Sequence, residues 1–182
     1  MSMTTWHIYG VGINVDKINP PTREQIIKLL DTVPRTKKLF MDWLADSVTN
    51  DWYKEYYVYF PSGTLDIEST IKTLYNELSL EDIYEIFERY DFGDGSALSH
   101  VIRCALEDKL NVSIVSCMDC NTDESYVLFG MCYPWDVLSS EHLSAITSID
   151  ILEQHFSEVL SCITTQPLDE LDWRAHSVEG CG

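Results

Sequence analysis

Cys117-Met118-Asp119-Cys120 has the spacing with the sharpest chemical meaning in this chain, that of a metal-binding or redox cysteine pair. A structural zinc site takes four ligands, commonly from two such pairs. Here there is one pair, with Cys132 as a third candidate across a predicted hairpin and Cys104 as a remote fourth. A thioredoxin-type use places the pair at a helix N-terminus, where the thiolate is stabilised. This pair closes a predicted strand instead, so ordinary buried or loop thiols are the commoner outcome for it. No other residue set makes a metal site, and no cofactor is expected.

Other patterns fail on their chemistry. Gly10-Val11-Gly12 begins a dinucleotide fingerprint, but Val15 stands where the third glycine belongs and no helix follows directly. Asp91 and Asp94 before Gly95 look like a calcium loop, yet Tyr90, Phe92 and Val101 fall where an EF-hand needs oxygen ligands. Asp94 with Glu107-Asp108-Lys109 has the residue types of a metal-dependent nuclease, but lies at a helix end where such charges are routine. The histidines, His7, His100, His142, His155 and His176, share no spacing, and no G-x-S-x-G elbow or Walker loop occurs. No catalytic residue is assigned and the chain is read as a non-enzyme, although triads do assemble from distant positions.

The basic cluster Arg35-Thr36-Lys37-Lys38 lies beside Phe40 and Trp43 and upstream of Trp52, Tyr53, Tyr56 and Tyr57. Basic groups near aromatics can hold nucleic acid. The plainer reading of Arg35, Lys37 and Lys38 is a solvated first turn on an amphipathic helix.

The elements that must position these residues read as α+β, a small, mostly antiparallel sheet packed with five to seven helices. Thr4 to Val15 is a strand, with Gly10 and Gly12 permitting a bulge. Thr22 caps a helix with a stripe of Ile26, Ile27, Leu29 and Leu30; Pro34 starts another with Leu39, Phe40, Trp43 and Leu44. Asp51 to Phe60 fits strand or helix, and Pro61-Ser62-Gly63 is a turn. Asp66, Ser79 and Ser96 are caps for three further helices, the last ending at Asn111. Val112 to Cys117 and Tyr126 to Cys132 form a hairpin. Tyr133-Pro134-Trp135 leaves the sheet for a short helix around Ser140 to Ile146. A longer helix from Ile149 to Ile163 buries Ile149, Leu152 and Phe156. The whole, 1–182, reads as one domain with room for two lobes, a neutral aromatic-rich 1–60 and an acidic 61–165, followed by a tail over 166–182.

Charge separates those regions. Thirty acidic residues stand against twelve basic ones, for a net charge of -18. Residues 1–60 are neutral overall, whereas beyond Lys109 the only Lys or Arg is Arg174. With 45% hydrophobic residues the acidity sits on a folded body. It argues against general binding of nucleic acid, which needs Lys and Arg on phosphates, and for a basic partner. Glu81, Glu85 and Glu88 lie within about 60° of one another on the outer side of their predicted helix. Asp150, Glu153 and Glu158 point away from the apolar face of another. Carboxylates at such spacings stand about 5–6 Å apart and can imitate the charge of a nucleic-acid backbone. Neither an export signal nor a membrane span is visible, so a cytoplasmic protein with reduced thiols is expected.

Three segments carry a resemblance: Trp6-His7-Ile8-Tyr9-Gly10-Val11-Gly12-Ile13, Phe92-Gly93-Asp94-Gly95-Ser96 and Tyr133-Pro134-Trp135. In these, and in length and acidity, the chain resembles small proteins of phages and conjugative elements of gut Firmicutes, a group that includes a type II-A anti-CRISPR protein. The resemblance implies an inhibitor that binds Cas9 with its guide RNA in the host cytoplasm and prevents DNA cleavage. It implies no catalytic residues and supplies no contact residues. The Arg35, Lys37 and Lys38 cluster leaves room for a secondary contact with double-stranded DNA. The alternatives are a zinc-stabilised or plain acidic interaction module of a mobile element, and, behind those, a metal-dependent hydrolase.

Overall fold

A computed structural model describes residues 5–49, 67–91, 94–133 and 149–181. The expected elements at Asp51 to Phe60, Pro61 to Gly63 and Ser140 to Ile146, the cap at Asp66, and Pro134-Trp135 lie outside the described residues.

The chain is α+β, as expected. Four strands, β1 (Thr5–Asn14), β2 (Val115–Met118), β3 (Ser125–Tyr133) and β4 (Arg174–Cys181), form one antiparallel sheet in the order β2-β3-β1-β4. Six helices accompany it among the described residues: α1 (Arg23–Thr32), α2 (Pro34–Thr49), α3 (Ile67–Glu77), α4 (Leu80–Tyr90), α5 (Ala97–Leu110) and α6 (Ile149–Leu160).

Helix boundaries follow local chemistry. Thr22 and Ser79 each close a capping box, with Gln25 and Asp82 as the reciprocal partners, and Ser96 accepts from the Ser99 amide. Asn111 ends α5 in the left-handed region at φ 54°, with its amide donating to Glu107 O. Arg23 closes the other end of α3, donating through Nε to Leu78 O and through Nη2 to Asn76 O at 2.7 Å.

The two faces of the sheet differ. Ile13, Val127 and, part-buried, Val11 and Phe129 point into the main core, which the helices supply with Leu30, Phe40, Ile83, Phe87, Ile102, Leu106 and Phe156. On the other face Ile8, Cys117, Tyr126, Leu128 and Val178 make a smaller cluster. Burying a side chain of this size stabilises by roughly 1.5–3 kcal/mol, so the main core dominates the fold. Ile149, expected inside, is instead half exposed at the start of α6.

Three expectations are corrected. β1 pairs one-to-one with both neighbours, from His7 opposite Tyr133 to Asn14 opposite Tyr126, so Gly10 and Gly12 make no bulge. They permit close approach: a Cβ on Gly10 would stand 2.7 Å from Phe129 O, and one on Gly12 would collide with Val127 O. Of the tail expected over 166–182, the described residues 166–181 are instead built into the fold: Leu168–Leu171 forms a 3-10 turn and β4 then pairs along β1 from Gly12–Arg174 to Thr5–Cys181. Nor do the described residues of 1–60 make a lobe of their own, since β1 lies in the middle of the sheet and α2 packs on α3, α4 and α5.

The sheet also curls. After β2 the chain crosses to β4, where Cys120 N donates to Glu179 O at 2.8 Å and Asn121 Nδ2 donates to its carboxylate at 3.2 Å. The turn after β2 is thereby tied to β4, the strand at the opposite edge of the sheet.

Candidate functional site

Two places gather the chemistry-bearing residues: a polar network around α5 and the outer faces of α4 and α6. In the network, Asp91 follows the last turn of α4 and accepts from His100 Nδ1 at 2.8 Å and from Arg103 Nη2. Arg103 also donates through Nη1 to Glu107 Oε2 at 2.8 Å, and Glu107 Oε1 accepts from Ile114 N at 2.9 Å. Burial pushes the Asp91 carboxyl up, but the His100 and Arg103 hydrogen bonds and the guanidinium charge outweigh it and hold the group at about 2. Burial opposes the Arg103 charge, yet the hydrogen bond to Asp91 and the surrounding negative charge leave it firmer than usual.

A histidine held by a carboxylate is also half of a hydrolytic triad. Here, however, the same Nδ1 that donates to Asp91 is the atom nearest a serine, 3.5 Å from Ser116 Oγ, and His100 is only 2% exposed. A base needs its other nitrogen on the nucleophile and access to substrate. The arrangement joins the end of α4, the start of α5 and β2, and is built for rigidity.

The nuclease-like triplet resolves the same way. Glu107 is occupied as described. Asp108 Oδ2 accepts from the amides of Arg35 at 2.8 Å and Thr36 at 3.1 Å, capping α2 from another helix. Lys109 pairs with Glu158 at 3.3 Å.

The zinc reading is corrected by covalent chemistry. Cys120 is disulfide-bonded, so its sulfur is not the thiolate that a zinc ligand must be. Cys117 lies in the small cluster at 2% exposure, the Cys132 side chain lies outside the described part, and Cys104 sits on α5 beside Asp91. Among the described residues no three His, Cys, Asp or Glu side chains are grouped to hold a metal. Cys120 also overturns the expectation of uniformly reduced cysteines. Burial pushes the Cys104 thiol up to about 12, which makes it a poor nucleophile.

The basic cluster is largely neutralised where it stands. Lys37 pairs with Asp31 at 2.6 Å and lies 4.9 Å above the Tyr75 ring, and Lys38 pairs with Asp42 at 2.7 Å. Arg35 donates to Asn111 Oδ1 at 3.1 Å and has no carboxylate partner among the described residues.

The acidic series are different. Glu81, Glu85 and Glu88 on α4 and Asp150, Glu153 and Glu158 on α6 are all exposed. The two helices both pack on α5. Glu158 is engaged by Lys109, Gln154 and His155, and its hydrogen bonds hold its carboxyl below the usual range. The other five form no ion pair among the described residues.

Sequence reasoning missed the Asp91–Arg103 pair and the α2 cap, whose partners are far apart in the chain. The one signal within reach was the i,i+4 spacing of Arg103 and Glu107. No helix among the described residues is long and apolar enough to cross a membrane. Comparison with protein-family models, curated proteins and solved structures found no match.

Proposed function

We propose that this protein is a stoichiometric inhibitor that binds Cas9 loaded with guide RNA and prevents DNA cleavage, using exposed carboxylates in place of nucleic-acid phosphates. The observation that carries this reading is the set Glu81, Glu85, Glu88, Asp150 and Glu153, exposed and without ion pairs among the described residues, on a chain of net charge -18. Unpaired surface carboxylates repel one another and weakly oppose folding, whereas they attract a basic channel at a distance. Such a channel holds the guide–target duplex in Cas9. Glu158, tied to Lys109, contributes least. The neutralised Lys37 and Lys38 make a secondary contact with double-stranded DNA a minor part of the reading.

The test is a pull-down with guide-loaded Cas9 followed by DNA cleavage at graded ratios of inhibitor. A complex, and cleavage that stops near one inhibitor per nuclease, is the expected result; full cleavage at excess protein with no complex refutes it. Reversing Glu81, Glu85 and Glu88 to Lys slows association and flattens its salt dependence, because screening acts on the long-range attraction. Unchanged association kinetics would move the contact off α4.

A further inference from the structure

Between the first turn of α2 and α5 lies a cavity of about 300 Å³, the size that takes a small metabolite. Its walls carry two guanidiniums, Arg35 and Arg103, and two carboxylates, Glu107 and Asp108, so its formal charge is balanced. Leu39, 41% exposed, and the protonated Cys104 thiol supply an apolar side.

Both Glu107 oxygens and Asp108 Oδ2 already accept from Arg103, Ile114, Arg35 and Thr36. Arg103 spends both terminal nitrogens on Glu107 and Asp91, and Arg35 spends Nη1 on Asn111. Among the described residues, the Nε of Arg103, the Nε and Nη2 of Arg35, and Asp108 Oδ1 have no partner. Arg35 is an exposed residue, and neither Arg103 Nε nor Asp108 Oδ1 is sealed from solvent. The cavity thus offers donors on fixed cations, an acceptor on a carboxylate, and an apolar patch.

We propose that this cavity binds a small zwitterion with a short apolar body, of the free α-amino-acid class. The ligand carboxylate meets the Arg35 guanidinium, for which a planar oxyanion is the natural partner, and the one unspent nitrogen of Arg103, its Nε. Its ammonium meets Asp108, and its side chain lies along Leu39. A simple anion is the poorer fit, because it would leave the Asp108 charge uncompensated within a strongly acidic protein. This site is independent of the acidic faces, and its test involves no nuclease.

The full-length protein is titrated with L-leucine, isovalerate and isopentylamine at constant ionic strength, by calorimetry and thermal shift. Leucine is expected to bind saturably at one site, at least about tenfold tighter than either single-charge analogue. Arg35→Ala weakens leucine by about tenfold or more, while Lys38→Ala, outside the cavity, leaves it unchanged. Asp108→Asn keeps an oxygen for the α2 amides but removes the charge; it weakens leucine and does not weaken isovalerate. No saturable leucine binding up to about 10 mM, equal binding of leucine and isovalerate, or an unaltered Arg35→Ala variant each overturns the proposal.

Discussion

Asp91, Glu107 and Asp108 gather around α5 with their charges met by Arg103, His100 and backbone amides, whereas Glu81, Glu85 and Glu88 stand exposed on the neighbouring helix α4 without an ion pair among the described residues. The same residue types therefore serve opposite ends. In the first group the charge fixes three elements against each other, and Arg103, only 18% exposed, spends both terminal nitrogens on Asp91 and Glu107. It cannot neutralise the surface. Among the described residues the unpaired carboxylates of α4 and α6 lie on the outside, where substitutions usually change stability little.

The largest effect that tests this contrast is Asp91→Ala. It strands Arg103 and His100 and is expected to lower unfolding free energy by about 3 kcal/mol, seen as a lower urea midpoint at unchanged slope. Acid denaturation follows next. The folded Asp91 carboxyl, at about 2, lies below its unfolded value of 3.8, so its contribution of roughly 2 kcal/mol is present above pH 3.8 and disappears as pH falls through 2. Burial likewise holds His176 below 6.5, so its part of the stability is lost as pH falls from that value. Asp91→Ala should remove the steep segment below pH 4 and keep the His176 segment; an unaltered profile would break the assignment. Glu107→Gln, which keeps an acceptor for Ile114 N, is expected to cost about 1 kcal/mol by chemical denaturation. Smallest is Glu81→Lys, Glu85→Lys and Glu88→Lys together. Unfolding free energy is expected to move by less than about 0.5 kcal/mol per site while association with a basic partner slows. A loss comparable to Asp91→Ala would erase the distinction between the two groups.

Local signals carried much of the fold. Thr22, Ser79 and Ser96 as caps, Pro34 as a helix start, Asn111 as a stop and the β2–β3 hairpin were legible because each rests on residues close in sequence, the hairpin pairs from Met118–Ser125 to Val115–Leu128 being the most widely spaced. The exposure of the α4 carboxylates was legible for the same reason, as helical periodicity. What was hidden depends on remote partners. β4 has few apolar residues, with Val178 its main buried hydrophobe, and exists because β1 offers it an edge. The Arg103–Asp91 pair joins residues twelve positions apart, and the Asp108 cap joins residues seventy-two positions apart. Cys117-x-x-Cys120 looked like a local motif, but only tertiary proximity decides which cysteines join.

The glycines of β1 have a consequence in the time before the fold is complete. β1 is translated long before β3 and β4, so its pairing with Tyr126 to Tyr133 and Arg174 to Cys181 is non-local and slow to form. A strand rich in aromatic and β-branched residues left waiting in that interval is a template for aggregation. Gly10 and Gly12 interrupt it, since glycine disfavours extended self-association. The same two residues that let β3 approach in the native sheet also lower the β-propensity of the unpaired strand.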